Sequence, residues 1–162
     1  MHAPRRGVLF VCLGNICRSP LARVIFEDLA IRRGVADRFE IDSCGTGAWH
    51  VGAGADPRSV QIAQRYGLTL NHCARQLNPD EDFERFELLI GMDQSNCTTM
   101  IERGAPQTRV KLMRSFDPTL AREPAHRIDV PDPYYGGDDG FDAVYHMLRR
   151  ACEGLIEHSI RS

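Results

Sequence analysis

Residues 8–20 read Val8-Leu9-Phe10-Val11-Cys12-Leu13-Gly14-Asn15-Ile16-Cys17-Arg18-Ser19-Pro20. The unbroken apolar run, read as a strand over residues 7–11, suits a parallel sheet covered on both faces. A loop then opens at Cys12. Ser19 is a favoured helix N-cap and Pro20 fits a first helical position. Leu21, Val24, Ile25 and Leu29 follow at i, i+3, i+4 and i+8, one face of a helix that Gly34 ends. Buried strand, tight loop and helix in succession start a βα unit.

Cys12 and Arg18 bound that loop. Its backbone N–H groups can converge on one centre, and the helix N-terminus favours negative charge there. A helix start and a nearby guanidinium also favour the thiolate, the nucleophilic form of cysteine. The planar fork of Arg18 matches two phosphate oxygens. Gly14 is expected to turn with positive φ and let the backbone approach a ligand. Asn15 tolerates left-handed geometry and can brace the loop. Ser19 is placed to steady the leaving thiolate. The loop reads as a cradle for a phosphate above a thiolate.

Outward from it, strand and helix alternate. Residues 39–43 alternate as a half-exposed strand. Gly45, Gly47, Gly52 and Gly54 make the next part a loop. Asp56-Pro57 opens a second helix that ends at Gly67, and Asn78-Pro79 opens a short third. Leu88–Met92 reads as a buried strand, residues 94–103 as a helix and Val110–Met113 as a fourth strand. Residues 115–138, rich in Pro, Asp and Gly, read as a long surface connection of the kind that carries function. A final helix gathers Phe141, Val144, Tyr145, Leu148, Cys152, Leu155 and Ile156 on one face. Repeated βα units imply an α/β, doubly wound parallel sheet, with ligands at the carboxyl ends of the strands. Cys12 stands at such an end.

The chain has 162 residues, 43% hydrophobic and 26% charged, with a formal net charge of −2. That fits a single domain over residues 1–162, not a polyanion binder. No nucleic-acid partner and no membrane span are expected. The six cysteines lack C-x-x-C spacing, and no leader is apparent. A cytoplasmic location with mostly buried, reduced cysteines is therefore expected.

Protonation of a leaving oxygen needs an acid. Asp132 in Asp132-Pro133-Tyr134-Tyr135-Gly136-Gly137 precedes the last helix on a loop that can reach a phosphate. Asp129, Asp138 and Asp139 compete with it on the residues alone.

Cys-x-Gly-Asn-x-Cys-Arg-Ser-Pro together with Asp-Pro-Tyr-Tyr-Gly resembles the low-molecular-weight protein tyrosine phosphatases. The likeness extends to Ser43-Cys44-Gly45-Thr46-Gly47 and Gly91-Met92-Asp93-Gln94-Ser95-Asn96. It implies a three-layer fold, a four-stranded parallel sheet of order 2-1-3-4 with helices on both faces, and no metal or cofactor. It implies phosphotyrosine hydrolysis through a phosphocysteine on Cys12, with Arg18 as clamp and Asp132 as general acid, then base. Leu13, Gly14, Asn15, Ile16, Cys17 and Ser19 would form the phosphate loop, braced by Ser43 and His72. Trp49, Tyr134 and Tyr135 would wall the mouth, deep enough for an aryl ester. Cys17 would form a reversible disulfide with Cys12. The expected partners are phosphotyrosine proteins or peptides, with phosphate and other oxyanions as inhibitors. A mostly monomeric chain with weak self-association through the active-site face is also implied.

Other chemistries on this fold leave different marks. An arsenate reductase needs a close pair of further cysteines in mid-chain; residues 78–96 contain none and Cys97 stands alone. Phosphoarginine phosphatases of this kind tend to carry Thr where this chain has Ile16. A non-catalytic phosphate binder would have no use for the Asp132 motif.

Overall fold

The apolar run becomes the strand on which the sheet is built. The computed structural model describes residues 4–161. In chain order the elements are β1 (Arg6–Cys12), α1 (Arg18–Arg32), β2 (Phe39–Gly45), α2 (Pro57–Arg65), α3 (Pro79–Arg85), β3 (Leu88–Gly91), α4 (Gln94–Glu102), β4 (Val110–Leu112) and α5 (Asp138–Arg161). The strands are parallel and ordered β2-β1-β3-β4, the order the resemblance implies. Register sets Cys12 opposite Gly45 and Val11 opposite Gly91.

Side chains alternate across a strand, and β1 shows what each face meets. Val8 and Phe10 enter one core with Leu21, Ile25 and Phe26 of α1 and Val144, Leu148 and Leu155 of α5. Leu9 and Val11 enter another with Phe83 of α3 and Met100 of α4. Helices thus cover both faces, giving three layers. Phe10 is fully buried, its ring 5.7 Å from that of Phe26. Truncating such a side chain costs about 3–5 kcal/mol. β1 is therefore a rigid base for the loop that leaves it at Cys12.

Two local expectations are corrected. Ser19 does not cap α1: the helix begins at Arg18, Cys17 takes the cap position without a side-chain cap bond, and Pro20 is the third helical residue. The Ser19 hydroxyl has partners in the loop instead. Residues 115–138 are also more built than a surface connection. A short 3₁₀ turn at Met113–Phe116 leads into them, and they contain two more at Pro118–Leu120 and Ala125–Arg127. Ile128 and Val130 are buried, and the Val130 N–H donates to the Met92 carbonyl at 2.8 Å. That bond ties the segment before Asp132 to the carboxyl edge of the sheet.

Candidate active site

Peptide units are planar and trans, so a carbonyl pointing away from a centre turns the next N–H toward it. The carbonyls of Cys12, Leu13 and Ile16 accept from the N–H groups of Thr46, Gly47 and Asp56, each at 2.9 Å. The Asn15 carbonyl is 2.6 Å from His72 Nε2 and the Cys17 carbonyl 3.3 Å from Ser59 Oγ. The N–H groups of Leu13, Gly14, Ile16, Cys17 and Arg18 therefore turn the opposite way, toward a common hollow. Consecutive inward amides form an anion nest, and the start of α1 adds its dipole.

The loop closes against β2 only because residue 45 is glycine. A Cβ there would lie 2.8 Å from the Leu13 oxygen and 3.1 Å from the Asn15 nitrogen. The left-handed turn is made at Asn15, with φ of 56°; Gly14 does not adopt positive φ. Asn15 can carry that conformation because its side chain is held on every side. Its Nδ2 donates to Ser19 Oγ at 2.8 Å and Ser43 Oγ at 3.0 Å, and its Oδ1 accepts from the Arg75 N–H at 3.0 Å.

Cys12 Sγ accepts the Asn15 N–H at 3.2 Å and lies 3.0 Å from Ser19 Oγ. Ser19 already accepts from Asn15, so its own proton can point at the sulfur. A carbonyl can only accept, so His72 donates through Nε2–H to Asn15. Burial lowers the His72 pKa, against the pull of that acceptor, and Arg23 lowers it further.

Arg18 is buried, and its Nη1 donates to Asp93 Oδ2 at 2.7 Å and to the Val130 carbonyl at 3.0 Å. Its Nη2 lies 3.6 Å from Asp132 Oδ2. Burial opposes its charge, but Cys12, Asp93 and Asp132 outweigh burial and raise its pKa. Asp93 also caps α4, accepting from Asn96 N at 2.8 Å, so one carboxylate fixes both helix and arginine. Asp132 is held in a turn by the Tyr134 N–H at 3.0 Å. Asp129 is turned to the start of α4, accepting from Gln94 N at 3.0 Å. Asp139 belongs to the first turn of α5, and the Asp138 side chain lies outside the described part.

Cys12, Leu13, Gly14, Ile16, Cys17, Arg18, Trp49, His50, Asp132, Tyr134 and Tyr135 line one cleft of about 380 Å³. Trp49 is 74% exposed, its six-membered ring resting on Gly47, where a Cβ would come within 1.8 Å. A larger groove of about 990 Å³ along α5 holds no residue of the Cys12 loop.

Ser43 and His72 both touch Asn15, one at its side chain and the other at its carbonyl. Cys17 is buried and its thiol faces Asp56 Oδ2 at 3.8 Å. Burial, then Asp56, push it up to about 12. Sequence reasoning overlooked His50 in the wall, Asp93 behind Arg18, and Arg58. Arg58 bonds both oxygens of Asp56, at 3.1 and 3.0 Å, and the carbonyls of Tyr134 at 2.9 Å and Gly136 at 3.3 Å. Only the Asp56-Pro57 helix start hinted at that pair. Among the described residues no cluster of His, Cys, Asp and Glu could hold a metal, and no helix is long and apolar enough to cross a membrane.

Comparison with known proteins gives this geometry its place. The family model for low molecular weight phosphotyrosine protein phosphatase matches residues 7–162. A low molecular weight protein-tyrosine-phosphatase of Streptomyces coelicolor is 42% identical over 153 residues, 92% of this chain and 90% of that one. The crystal structure of a protein tyrosine phosphatase from Entamoeba histolytica, with Hepes in its active site, superposes with a TM-score of 0.88 at 33% identity. It covers 96% of this chain and 97% of its own. That of a Drosophila arginine phosphatase gives a TM-score of 0.84 at 32% identity, covering 94% and 96%. The chain belongs to the low molecular weight phosphotyrosine protein phosphatase family.

Proposed function

We propose that this chain is a protein tyrosine phosphatase that hydrolyses phosphotyrosine by two displacements at phosphorus. The observation that carries the reading is the meeting of Cys12, Arg18 and Asp132 in one cleft with aromatic walls. The inward amides and Arg18 hold the dianion. The Cys12 thiolate attacks phosphorus, forming an S–P bond as the P–O bond to the tyrosine breaks. Asp132 in its acid form gives its proton to the leaving oxygen, a contribution of ~10²–10⁴ in rate. Asp132 then takes a proton from water, whose oxygen displaces sulfur and releases phosphate. Ser19 and the Asn15 N–H steady the thiolate as it forms again.

In this reading Trp49, Tyr134 and Tyr135 flank the aryl ring of a substrate whose phosphate sits in the loop, which favours phosphotyrosine over shorter phosphoserine. Phosphate and other oxyanions compete for the same amides. The likeness to an arginine phosphatase gives a second reading, phosphoarginine hydrolysis. Ile16 in the cleft wall presents no hydroxyl to a guanidino group, which favours the first.

The test is hydrolysis of p-nitrophenyl phosphate, phosphotyrosine, phosphoserine and phosphoarginine by wild type and Cys12→Ser without added metal. Phosphotyrosine is preferred, the pH profile is bell-shaped, and Cys12→Ser abolishes turnover while still binding phosphate. Asp132→Ala slows phenyl phosphate far more than p-nitrophenyl phosphate, whose leaving group needs no proton. Equal losses on the two esters would remove Asp132 from the acid role, and a phosphoarginine preference would replace the substrate.

A further inference from the structure

A second hollow adjoins the cleft, and Trp49 stands between them. It is open, about 630 Å³, and lined by Leu13, Thr46, Trp49, Gln76, Thr99 and Arg103 among others. Leu13 and Trp49, which are 44% and 74% exposed, belong to both walls. Chain leaving the cleft on this side thus meets an apolar sill and then a polar basin.

That basin has one sign of charge. Among the described residues Arg103 is its only ionised side chain, and no carboxylate lines it. The Arg103 Nη1 donates to the Thr46 carbonyl at 3.0 Å, and Gln76 Nε2 donates to the same oxygen at 3.2 Å. The arginine is therefore anchored at one corner. A guanidinium carries five N–H donors in a rigid fork, a match for a carboxylate. Among the described residues no carboxylate pairs with Arg103.

We propose that this hollow is a subsite for the residues flanking phosphotyrosine on one side of the substrate peptide, and that Arg103 selects acidic side chains there. The inference rests on the phosphotyrosine reading of the cleft. An extended peptide advances ~3.4 Å per residue. A basin that begins at the cleft's own rim is therefore within reach of the first few residues beside the phosphotyrosine. Leu13 and Trp49 offer contact to whichever side chain crosses the sill. The guanidinium beyond them sets the charge preference.

The experiment uses phosphotyrosine peptides with Glu, Ala or Lys at each of three positions on either side. It compares kcat/KM for Glu and Lys within wild type, Arg103→Gln and Arg103→Glu. Exposed charge pairs are worth up to about fivefold, so attraction for Glu with repulsion of Lys gives a ratio of about ten. Wild type shows that ratio on one side of the phosphotyrosine only, and salt diminishes it. Arg103→Gln brings it close to one and Arg103→Glu inverts it. Each ratio comes from one protein preparation, so partial misfolding cancels. Indifference to charge at every position overturns the inference alone, as does a Glu preference that persists in Arg103→Glu. Failure to hydrolyse any phosphotyrosine compound overturns the reading beneath it and the inference with it.

Discussion

Arg58 holds the backbone carbonyl of Tyr134 at 2.9 Å, although the two residues are 76 positions apart. The same guanidinium grips Asp56 and lies 5.6 Å from the Tyr134 ring and 4.6 Å from that of Phe141. The Asp56 N–H in turn reaches the Ile16 carbonyl. Arg58 thus joins the phosphate loop to the segment that carries Asp132. We predict that Arg58→Met slows phenyl phosphate hydrolysis about tenfold more than p-nitrophenyl phosphate hydrolysis, the signature of a displaced acid. A loss of equal size on both esters would mean that Arg58 does not position the acid.

Asn15 combines a left-handed backbone with three side-chain hydrogen bonds in a buried place. Asn15→Ala leaves the groups it bonds unsatisfied and puts a Cβ without those bonds where φ is 56°. The expected loss is about 3 kcal/mol or more. Asn15→Gly loses the same bonds but not the backbone compatibility, and should be about 1 kcal/mol more stable than the alanine variant. Urea unfolding measures both, and identical midpoints would refute the conformational part.

His72 gives a pH dependence whose sign is fixed. Its pKa is lowered in the folded protein, by burial first, with Arg23 adding and the Asn15 carbonyl and Asp42 opposing. Above the unfolded value of ~6.5 both states hold it neutral and folding carries no proton penalty. As pH falls below that value the unfolded chain takes up the proton first, so stability declines. Urea unfolding at about pH 7.5 and 5.5, on either side of that value, should show the decline in wild type and a smaller one in His72→Gln. The carboxylates whose pKa values are lowered, such as Asp56 and Asp117, add their own losses at lower pH.

The cysteines should divide by their surroundings: Cys12 is itself buried but opens onto the cleft with the Asn15 N–H and the charge of Arg18 beside it. Cys17 is pushed up to about 12 and Cys97 to about 11, burial being the main cause in both. Cys44 and Cys152 are deep in the core and also raised. Cys73 is exposed. Iodoacetamide at about pH 7.5 should therefore label Cys12 and Cys73, with phosphate protecting Cys12 alone. Peptide mass spectrometry reads the sites. Labelling of Cys17 as fast as Cys12 would contradict the thiol's place beside Asp56.

What the sequence disclosed was local in the chain. The run before Cys12, the spacing to Arg18 and the helix start at Asp56-Pro57 all act within a few residues, and the structure has them. Ser19 misleads for the same reason. Its hydroxyl has cap chemistry, but Asn15 and Cys12 recruit it through the fold of the loop. Gly14 is the residue type best suited to a left-handed turn, yet the bonds Asn15 donates to Ser19 and Ser43 and accepts from Arg75 give that turn to Asn15. Asp93 lies 75 residues from Arg18. No periodicity encodes such a pairing, nor that of Arg58 with the Tyr134 carbonyl. In residues 115–138 the Pro and Asp content was visible. The anchoring of Val130 to Met92 depends on one apolar side chain and one backbone bond, too little for a pattern.

The outward bonds of the phosphate loop also have a kinetic meaning. The donors that set its carbonyls come from residues 46, 47, 56, 59 and 72, all later in the chain than α1. An N-terminal fragment ending at Arg33 would contain every signature residue of the loop and none of these donors. Native loop shape must await long-range closure, which is slow relative to helix formation. On dilution from urea, far-UV ellipticity should therefore recover before phosphate can protect Cys12 from alkylation. Simultaneous recovery would show that the cradle forms with its helix, independently of the segments that brace it.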